Sequence, residues 1–201
     1  MELILIRHLA TAGNEKRQYI GRTDEPLSQH AKASYRKAPF YYTDVSQVIV
    51  SPMRRCIETA ELLYPGKRLH IQKLLKECDF GEFEGKSYEE LKEDSRYIRW
   101  LASNGTLPFP KGESQEVFRK RCVQGFKSSI ETLLIGNEVK KAAFVVHGGT
   151  IMAILSALDE KERGFYAWQA ANGKGYRAIL EEKKFREGKR CMRDITPLKA
   201  I

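Results

Sequence analysis

Cysteine is scarce in this sequence of 201 residues, and the cysteines that occur are far apart. They are Cys56, Cys78, Cys122 and Cys191, so there is no C-x-x-C pair of the kind that binds zinc or performs redox chemistry. Without such a pair a reducing compartment is the simplest location, and we expect a cytoplasmic protein. We expect Cys56 and Cys122 to be small core residues on helices.

Long apolar runs are also missing. None approaches the roughly 20 residues that a membrane-spanning helix needs. The first apolar run, Leu3 to Ile6, stops at Arg7 and does not resemble the apolar core of a signal peptide. The composition, 42% hydrophobic and 30% charged, is that of a globular protein. The length favours a single domain over residues 1–201, with no internal repeats and no membrane partner.

Acidic residues are outnumbered by basic ones, 26 against 35, which gives a formal net charge of +9. Such an excess is one mark of nucleic-acid binding. Here, however, the basic residues are scattered and form a dense cluster only at residues 183–193, which we interpret as a solvated tail. We therefore expect no nucleic-acid partner. A modest positive field attracts small anionic substrates instead.

Three apolar runs each lead into a corner with a polar side chain and then into a helical pattern. These are Leu3–Ile6 before Arg7 and His8, Val48–Val50 before Ser51 and Arg55, and Ala142–Val146 before His147 and Gly148. Continuous apolar runs are typical of buried parallel strands. Because parallel strands end at the same sheet edge, where open α/β sheets bind ligands, we expect these side chains to converge. Arginine beside histidine indicates an anion site with a reactive imidazole.

Several segments resemble, in the right order, the signatures of the histidine phosphatase superfamily, the phosphoglycerate mutase-like group. RHLATAGN at residues 7–14 resembles its RHG-x-T-x-x-N motif, with Leu9 in place of the glycine. The other matching segments are YIGRTDEPLS (19–28), SPMRRCIETA (51–60), LKECDFGEFEG (75–85), PKGES (110–114) and VVHGGT (145–150). The resemblance implies a three-layer α/β/α sandwich with a mostly parallel central sheet.

The resemblance also implies which residues act. The catalytic set that it implies is His8, Glu77, Arg7, Arg55 and His147. The substrate-binding set is Arg7, Asn14, Gly21, Arg55, His147 and Gly148. Arg54 is the alternative to Arg55, and the register of the motif favours Arg55. For the other acidic residues of the 75–85 loop, Asp79, Glu82 and Glu84, we expect a solvated acidic surface.

The implied reaction is hydrolysis of small phosphate esters through a phosphohistidine on His8, with Glu77 as proton donor. It implies a small anionic phosphate-ester partner, no metal and no cofactor, in a monomer or homodimer. Within the family we favour the α-ribazole-5′-phosphate phosphatases of cobalamin assembly. The reasons are the compact length, the Gly-Arg-Thr-Asp stretch, and an aromatic segment before PKGES that would face an apolar base. A broad-specificity phosphatase is the near alternative.

Two further alternatives stay open. A phosphoglycerate mutase is less favoured, because mutases of the family carry a long insertion where only residues 86–111 are available here. A pseudo-phosphatase, which binds phosphorylated ligands without catalysis, is motivated by Leu9. Against it, both histidines, both matching arginines and Glu77 are present.

Local signals predict helix boundaries. Ser28 is expected to cap a helix from residue 29 to about 37, and Ser114 a long helix that ends at Gly136. Ser87 to Glu90 forms a capping box, which predicts a helix to about residue 102.

The segment 86–113 holds Tyr97, Trp100 and Phe109 and is either a lid over the site or a helix packed by aromatic residues. A final strand is expected at Arg177–Leu180, and the last twenty residues show no periodicity.

Overall fold

Strand β1 (Glu2–Arg7) lies inside a six-stranded sheet in the computed structural model, which describes residues 1–135 and 139–199. The other strands are β2 (Gln47–Val50), β3 (Leu69–Ile71), β4 (Lys141–Val146), β5 (Gly175–Leu180) and β6 (Met192–Pro197). Across the sheet they follow the order β3-β2-β4-β1-β5-β6. Strands β1 to β4 are parallel, β5 is antiparallel to β1, and β6 is antiparallel to β5. The mostly parallel sheet predicted from the sequence is confirmed.

Helices connect the strands. They are α1 (Ala12–Glu15), α2 (Gln29–Lys37), α3 (Arg54–Leu63), α4 (Tyr88–Leu91), α5 (Ser95–Ala102), α6 (Gln115–Leu134), α7 (Gly148–Leu158) and α8 (Glu182–Arg186). Short 3₁₀ turns lie at Lys73–Leu75, Gly81–Phe83 and Phe165–Trp168. In the part of the chain that the structure describes, no helix combines the length and the apolar character that crossing a bilayer requires.

Side-chain alternation along β1 explains the layers. Leu3 and Leu5 are fully buried in a cluster with side chains of α6 and α7. Ile4 and Ile6, equally buried, point the other way into a cluster with side chains of α2 and α3. Each such side chain contributes about 1.5–3 kcal/mol to stability through burial. The alternation therefore holds helices on both faces, which is the predicted α/β/α sandwich.

The predicted helix caps at two serines are confirmed. Ser28 Oγ accepts the backbone N–H of Ala31 at 2.9 Å, and α2 covers the predicted residues. Ser114 Oγ accepts the N–H of Val117 at 3.2 Å at the start of α6. The predicted end of that helix at Gly136 lies outside the described residues.

The single helix predicted from Ser87 to about residue 102 is wrong. The capping box at Ser87 is present, but α4 ends at Leu91. Asp94 then starts α5 by accepting the N–H of Arg96 at 2.8 Å. Asp side chains bond nearby N–H groups in this way, so they favour helix starts over helix interiors.

The solvated tail predicted at residues 183–193 is also wrong in part. It contains most of α8, and β6 begins at Met192, which is fully buried together with Cys191. Along β6 only Met192 and Ile195 are buried, so the strand lacks the alternation that would reveal it in the sequence.

Candidate active site

The carboxyl ends of β1, β2 and β4 meet at one edge of the sheet. His8 follows β1 and His147 follows β4, and the centroids of their rings lie 5.2 Å apart. Arg55 reaches the same place from the first turn of α3, shortly after β2. The parallel topology therefore brings together three side chains that are far apart in the chain, as we expected from the three corners.

A hydrogen bond of the buried His8 ring determines which nitrogen carries the proton. Nδ1 lies 2.6 Å from the carbonyl oxygen of Leu9. Because a carbonyl can only accept, Nδ1–H donates and Nε2 keeps its lone pair. Burial, together with the charges of Arg55 and Arg7, holds the pKa of His8 well below its usual range. His8 is therefore a neutral imidazole with a free Nε2, which is the nucleophilic form.

Hydrogen bonds from two directions hold the turn after β1. The N–H of Leu9 donates to Thr59 Oγ1 at 3.0 Å, and the Thr59 hydroxyl donates to the carbonyl of Arg55 at 2.7 Å. From the loop before β5, Asn172 Nδ2 donates to the carbonyl of His8 at 3.0 Å. Neither Thr59 nor Asn172 was predicted from the sequence as a site residue. The only signal for Thr59 was its place in the SPMRRCIETA segment.

The Leu9 side chain packs in an apolar cluster. It is 8% exposed and belongs to the same cluster as the α2 and α3 side chains. A Cβ built on Gly173, which has φ +73°, would lie 2.9 Å from Leu9 Cδ2, so the leucine covers this glycine. The backbone of Leu9 is not left-handed, so this position does not need glycine for its φ angle.

Arg55 is fully buried, and the protein binds all three of its nitrogens. Nη2 donates to the carbonyl of Gly21 at 2.8 Å, Nη1 to that of Thr23 at 2.7 Å, and Nε to His147 Nδ1 at 3.3 Å. A guanidinium has five N–H groups, so two remain for an anion. Arg54 is instead exposed.

Both nitrogens of the fully buried His147 ring have protein partners. Because Nδ1 accepts from Arg55, the proton of the neutral ring is on Nε2, which donates to Ser51 Oγ at 2.7 Å. Burial, followed by the charges of Arg55 and other neighbours, holds the pKa of His147 well below its usual range. The neutral ring therefore connects Ser51, which follows β2, to Arg55 of α3 through two hydrogen bonds.

Cys56 lies beside the same ring, with Sγ 3.5 Å from His147 Nε2. A Cys–His contact suggests a metal pair, but burial raises the pKa of the Cys56 thiol, so the thiolate is disfavoured. Within residues 1–135 and 139–199, no group of three or more His, Cys, Asp or Glu side chains is arranged to hold a metal ion. Cys56 is therefore a core residue of α3, as predicted.

Arg7 and Gly148, the chain neighbours of His8 and His147, line a cavity of about 570 Å³. Arg7 Nη1 donates to the carbonyl of Ala170 at 2.8 Å, and its buried Nε has no partner among the described residues. Burial lowers the pKa of Arg7, and the nearby Glu77 partly opposes this shift. The cavity is lined by Arg7, Glu77, Gly148, Gly149, Met152, Gln169, Ala170 and Ala171. The Arg7 guanidinium thus lines a cavity large enough for a small molecule.

The Glu77 carboxyl lies between two backbone donors. Oε1 accepts the N–H of Cys78 at 3.0 Å, and Oε2 accepts the N–H of Gly149 at 3.1 Å. A Cβ on Gly149 would lie 2.4 Å from Oε1, so only glycine allows this approach. Burial raises the pKa of Glu77 despite these hydrogen bonds and the nearby arginines. A raised pKa suits a carboxyl that has to donate a proton near neutral pH.

Asn14 is linked to the turn after β1 through Asn172, and Gly148 lines the cavity beside Arg7. Asn14 Oδ1 accepts from the N–H of Thr11 and from Asn172 Nδ2, both at 3.2 Å. These contacts orient the Asn14 amide. Gly148 begins α7, and a Cβ on it would lie 3.4 Å from Arg7 Nε. The N-terminus of this helix, a favourable place for an anion, therefore adjoins the arginine.

Gly21 and the acidic loop make contacts that the sequence did not indicate. The N–H of Gly21 donates to Glu84 and its carbonyl accepts from Arg55, so both backbone groups have protein partners. Asp79 accepts the N–H of Gly81 at 2.8 Å. Glu82 forms ion pairs with two basic side chains. The side chains of Asp79, Glu82 and Glu84 are all partly exposed, as a solvated acidic surface requires, but each carboxylate also has a specific partner.

Tyr97 and Phe109 of segment 86–113 face inward rather than into the Arg7 cavity, whereas Tyr88 is 53% exposed. Tyr97 is 1% and Phe109 2% exposed, and both belong to a third apolar cluster beside α6. Aromatic packing, one of the two expected roles, is thus confirmed. The other end of the segment, at Lys111 to Glu113, lines a second cavity that also contacts Glu77. The role of a lid stays a prediction.

Comparison with known proteins gives one family. The family model of the histidine phosphatase superfamily (branch 1) matches residues 3–188. A relative from Hydrogenobacter thermophilus, named "Putative phosphoserine phosphatase 2", is 32% identical over 162 residues, which cover 78% of this chain and 77% of the relative.

Solved structures agree with this result. A phosphoglycerate mutase of Thermus thermophilus is 27% identical, covers 99% of both chains and has a TM-score of 0.64. An α-ribazole phosphatase of Shigella flexneri covers 96% of this chain and 95% of its own, with a TM-score of 0.74. At 22% identity the latter likeness is one of fold alone.

Proposed function

Because the chain belongs to branch 1 of the histidine phosphatase superfamily, we propose that it hydrolyses small phosphate monoesters through a phosphohistidine on His8. The observation that carries the proposal is a hydrogen bond of the His8 ring. Its Nδ1–H donates to the Leu9 carbonyl, which leaves the lone pair of Nε2 available. Two arginines lie close enough to lower the pKa of this ring. The same charges would neutralise a phosphate dianion, which otherwise repels nucleophiles.

The proposed first step transfers the phosphoryl group to the enzyme. Nε2 of His8 forms a bond to phosphorus while the bond to the ester oxygen breaks. Glu77 gives its proton to that oxygen, so the alcohol leaves neutral. In the second step water attacks phosphorus, Glu77 takes a proton from the water, and the bond to His8 breaks. The products are the alcohol and inorganic phosphate.

We propose that Arg7 and Arg55 hold the phosphoryl oxygens, because guanidinium N–H groups match their geometry. Asn14 and the N-terminus of α7 at Gly148 add donors. The Nε2–H of His147 donates to Ser51 Oγ in the structure. For His147 to contact the phosphate, this N–H has to donate to a phosphoryl oxygen instead. Gly21 contributes to substrate binding indirectly. Its carbonyl accepts a hydrogen bond from Arg55 Nη2 and so helps to hold that guanidinium. No metal ion is needed in this scheme, because side chains supply the positive charge.

Two substrates can be compared directly within this activity. O-phosphoserine is suggested by the name of the 32% identical relative, "Putative phosphoserine phosphatase 2". α-Ribazole 5′-phosphate is the choice that we made from the sequence. Its aromatic base would need an apolar wall, and the cavity at Arg7 is lined by Met152, Gln169 and small residues, without an aromatic ring. This lining favours a small polar alcohol such as serine.

A phosphoglycerate mutase is the second candidate function, because solved relatives include one. Phosphate release measured beside 3-phosphoglycerate isomerisation separates the two activities. A cytoplasmic location and a monomeric or homodimeric state stay predictions from the sequence.

The test is to trap the phosphoenzyme. Quenching a reaction with ³²P-labelled ester should leave acid-labile, base-stable label on the wild type and none on His8→Ala. The matched control is His30→Ala, because the His30 side chain is 80% exposed and lies outside the site. Label that persists in His8→Ala, or that survives acid as a phosphoserine would, contradicts the mechanism. Inactivity of the wild type on every ester favours the pseudo-phosphatase instead.

A further inference from the structure

Glu84 has more hydrogen-bond donors around its carboxylate than its place in a surface loop suggests. Oε1 accepts the N–H groups of Arg22 at 2.8 Å, Gly21 at 3.0 Å and Phe80 at 3.3 Å. Oε2 accepts the Thr23 hydroxyl at 2.8 Å and the Thr23 N–H at 3.4 Å. Most of these donors belong to the loop 21–23, which comes much earlier in the chain. One carboxylate therefore shapes that loop.

The same loop holds Arg55 from its other side. The carbonyls of Gly21 and Thr23 accept its Nη2 and Nη1 at 2.8 and 2.7 Å. The peptide unit between Gly21 and Arg22 is the direct link, because its C=O meets Arg55 and its N–H meets Glu84. A peptide dipole of about 3.5 D then lies between a positive and a negative charge, in the favourable direction at both ends.

Gly21 packs closely against the segment that follows Glu77. A Cβ on Gly21 would lie 1.8 Å from the carbonyl oxygen of Cys78 and 2.7 Å from Glu84 Oε1. Cys78 directly follows Glu77, and its N–H donates to the Glu77 carboxyl. The position of Arg55 is thereby tied to the segment that carries the proposed proton donor.

We propose that Glu84 is a positioning residue, which acts on the phosphate only through Arg55. The proposal rests on the proposed function, since it concerns the same site. Glu84 holds the loop 21–23 so that two carbonyls fix the plane of the guanidinium, and the two remaining N–H groups of Arg55 are aimed at the phosphoryl oxygens. A displacement of about 1 Å in such a group costs roughly a hundredfold in rate.

The first test compares Glu84→Gln with Glu82→Gln. The amide NH₂ that Glu84→Gln introduces would face N–H donors on one side, so the loop has to move. We expect kcat/KM for a phosphate ester to fall by about 10- to 100-fold, with a parallel loss of vanadate affinity. Glu82 belongs to the same loop, but among the described residues its side chain pairs with the exposed Arg96 and Lys111. Glu82→Gln should therefore change both quantities by less than about twofold.

A double-mutant cycle with Arg55→Lys separates positioning from general folding support. If Glu84 acts through Arg55, Glu84→Gln should cost less than about threefold once Arg55 is replaced, because coupled residues are not additive. Equal losses in both backgrounds, or a lower melting temperature with unchanged kcat/KM and vanadate affinity, would overturn the proposal. If Glu84→Gln does not fold, Thr23→Val removes one of the same bonds and should shift vanadate affinity in the same direction.

The affinity for inorganic phosphate, measured by calorimetry, tests the positioning role of Glu84 separately from the proposed phosphatase activity. If the wild type binds phosphate but turns over no ester, the proposed function fails, and a weaker affinity in Glu84→Gln still supports the positioning role. If Glu84→Gln binds phosphate as the wild type does, the positioning role fails whatever the activity.

Discussion

Replacing Leu9 by glycine would restore the residue that the RHG-x-T-x-x-N motif has at this position, and we predict that it harms the protein. The Leu9 side chain is 8% exposed, packs in the cluster beside α2 and α3, and covers Gly173. Truncating a buried leucine to alanine costs about 2–5 kcal/mol. Glycine adds the cost of a freer unfolded backbone. Out of a typical stability of about 5–15 kcal/mol, this is a large loss.

The effect on rate should be small. The two site contacts of Leu9 come from its backbone: its carbonyl accepts His8 Nδ1–H, and its N–H donates to Thr59. Glycine keeps both groups, and the backbone here is not left-handed. We therefore expect kcat/KM of Leu9→Gly to stay within about tenfold of the wild type, which corresponds to about 1.4 kcal/mol.

The assay pairs urea unfolding with ester hydrolysis, the latter at a temperature where every variant is folded. Leu107→Gly is the matched control, because Leu107 lies in a loop and is 47% exposed. It should lose less than about 1 kcal/mol. Two results would refute the reasoning: a Leu9→Gly variant as stable as the wild type, or a gain in kcat/KM of more than about tenfold. The second would mean that Leu9 impairs the site, as a pseudo-phosphatase requires.

Three further predictions concern Glu77, the proposed proton donor, and the turn after β1. Glu77→Gln should lose more rate on alkyl than on aryl phosphates, because aryl alcohols leave with little proton assistance; equal losses would assign Glu77 a shaping role only. Since burial raises the pKa of Glu77 and the acid has to be protonated, kcat/KM should fall as pH rises through that pKa, and this limb should be absent from the profile of Glu77→Gln. Thr59→Val leaves the buried N–H of Leu9 without its acceptor and should cost about 1–3 kcal/mol in urea unfolding, with a reduced kcat; an unchanged kcat would show that the turn does not depend on Thr59.

Features that depend on neighbours in the chain were predictable from the sequence. The strand before His8 is a continuous apolar run, and Ser28 and Ser114 lie three residues before the N–H groups that they accept. The convergence of His8 and His147 followed from the parallel strands alone.

Features that depend on distant contacts were missed. Glu84 looks like one of several loop acids until the loop 21–23 is placed against it, and Asn172 looks like a turn residue until β5 pairs with β1. Gly149 follows a glycine already explained by the motif, and only the Glu77 carboxyl shows why a second one is needed. Each of these residues owes its role to a partner far along the chain, which local periodicity does not encode.

The position of β4 in the sheet has a consequence for biosynthesis. Strands β1 and β2 do not pair with each other, since β4 lies between them, although it comes about ninety residues after β2. At a synthesis rate of about 5–20 residues per second, the nascent chain waits several seconds with both apolar strands exposed. The strand that joins the sheet is also the one that delivers His147. A nascent or truncated chain that lacks β4 therefore has neither a continuous sheet nor a complete site, so that catalytic competence coincides with closure of the fold.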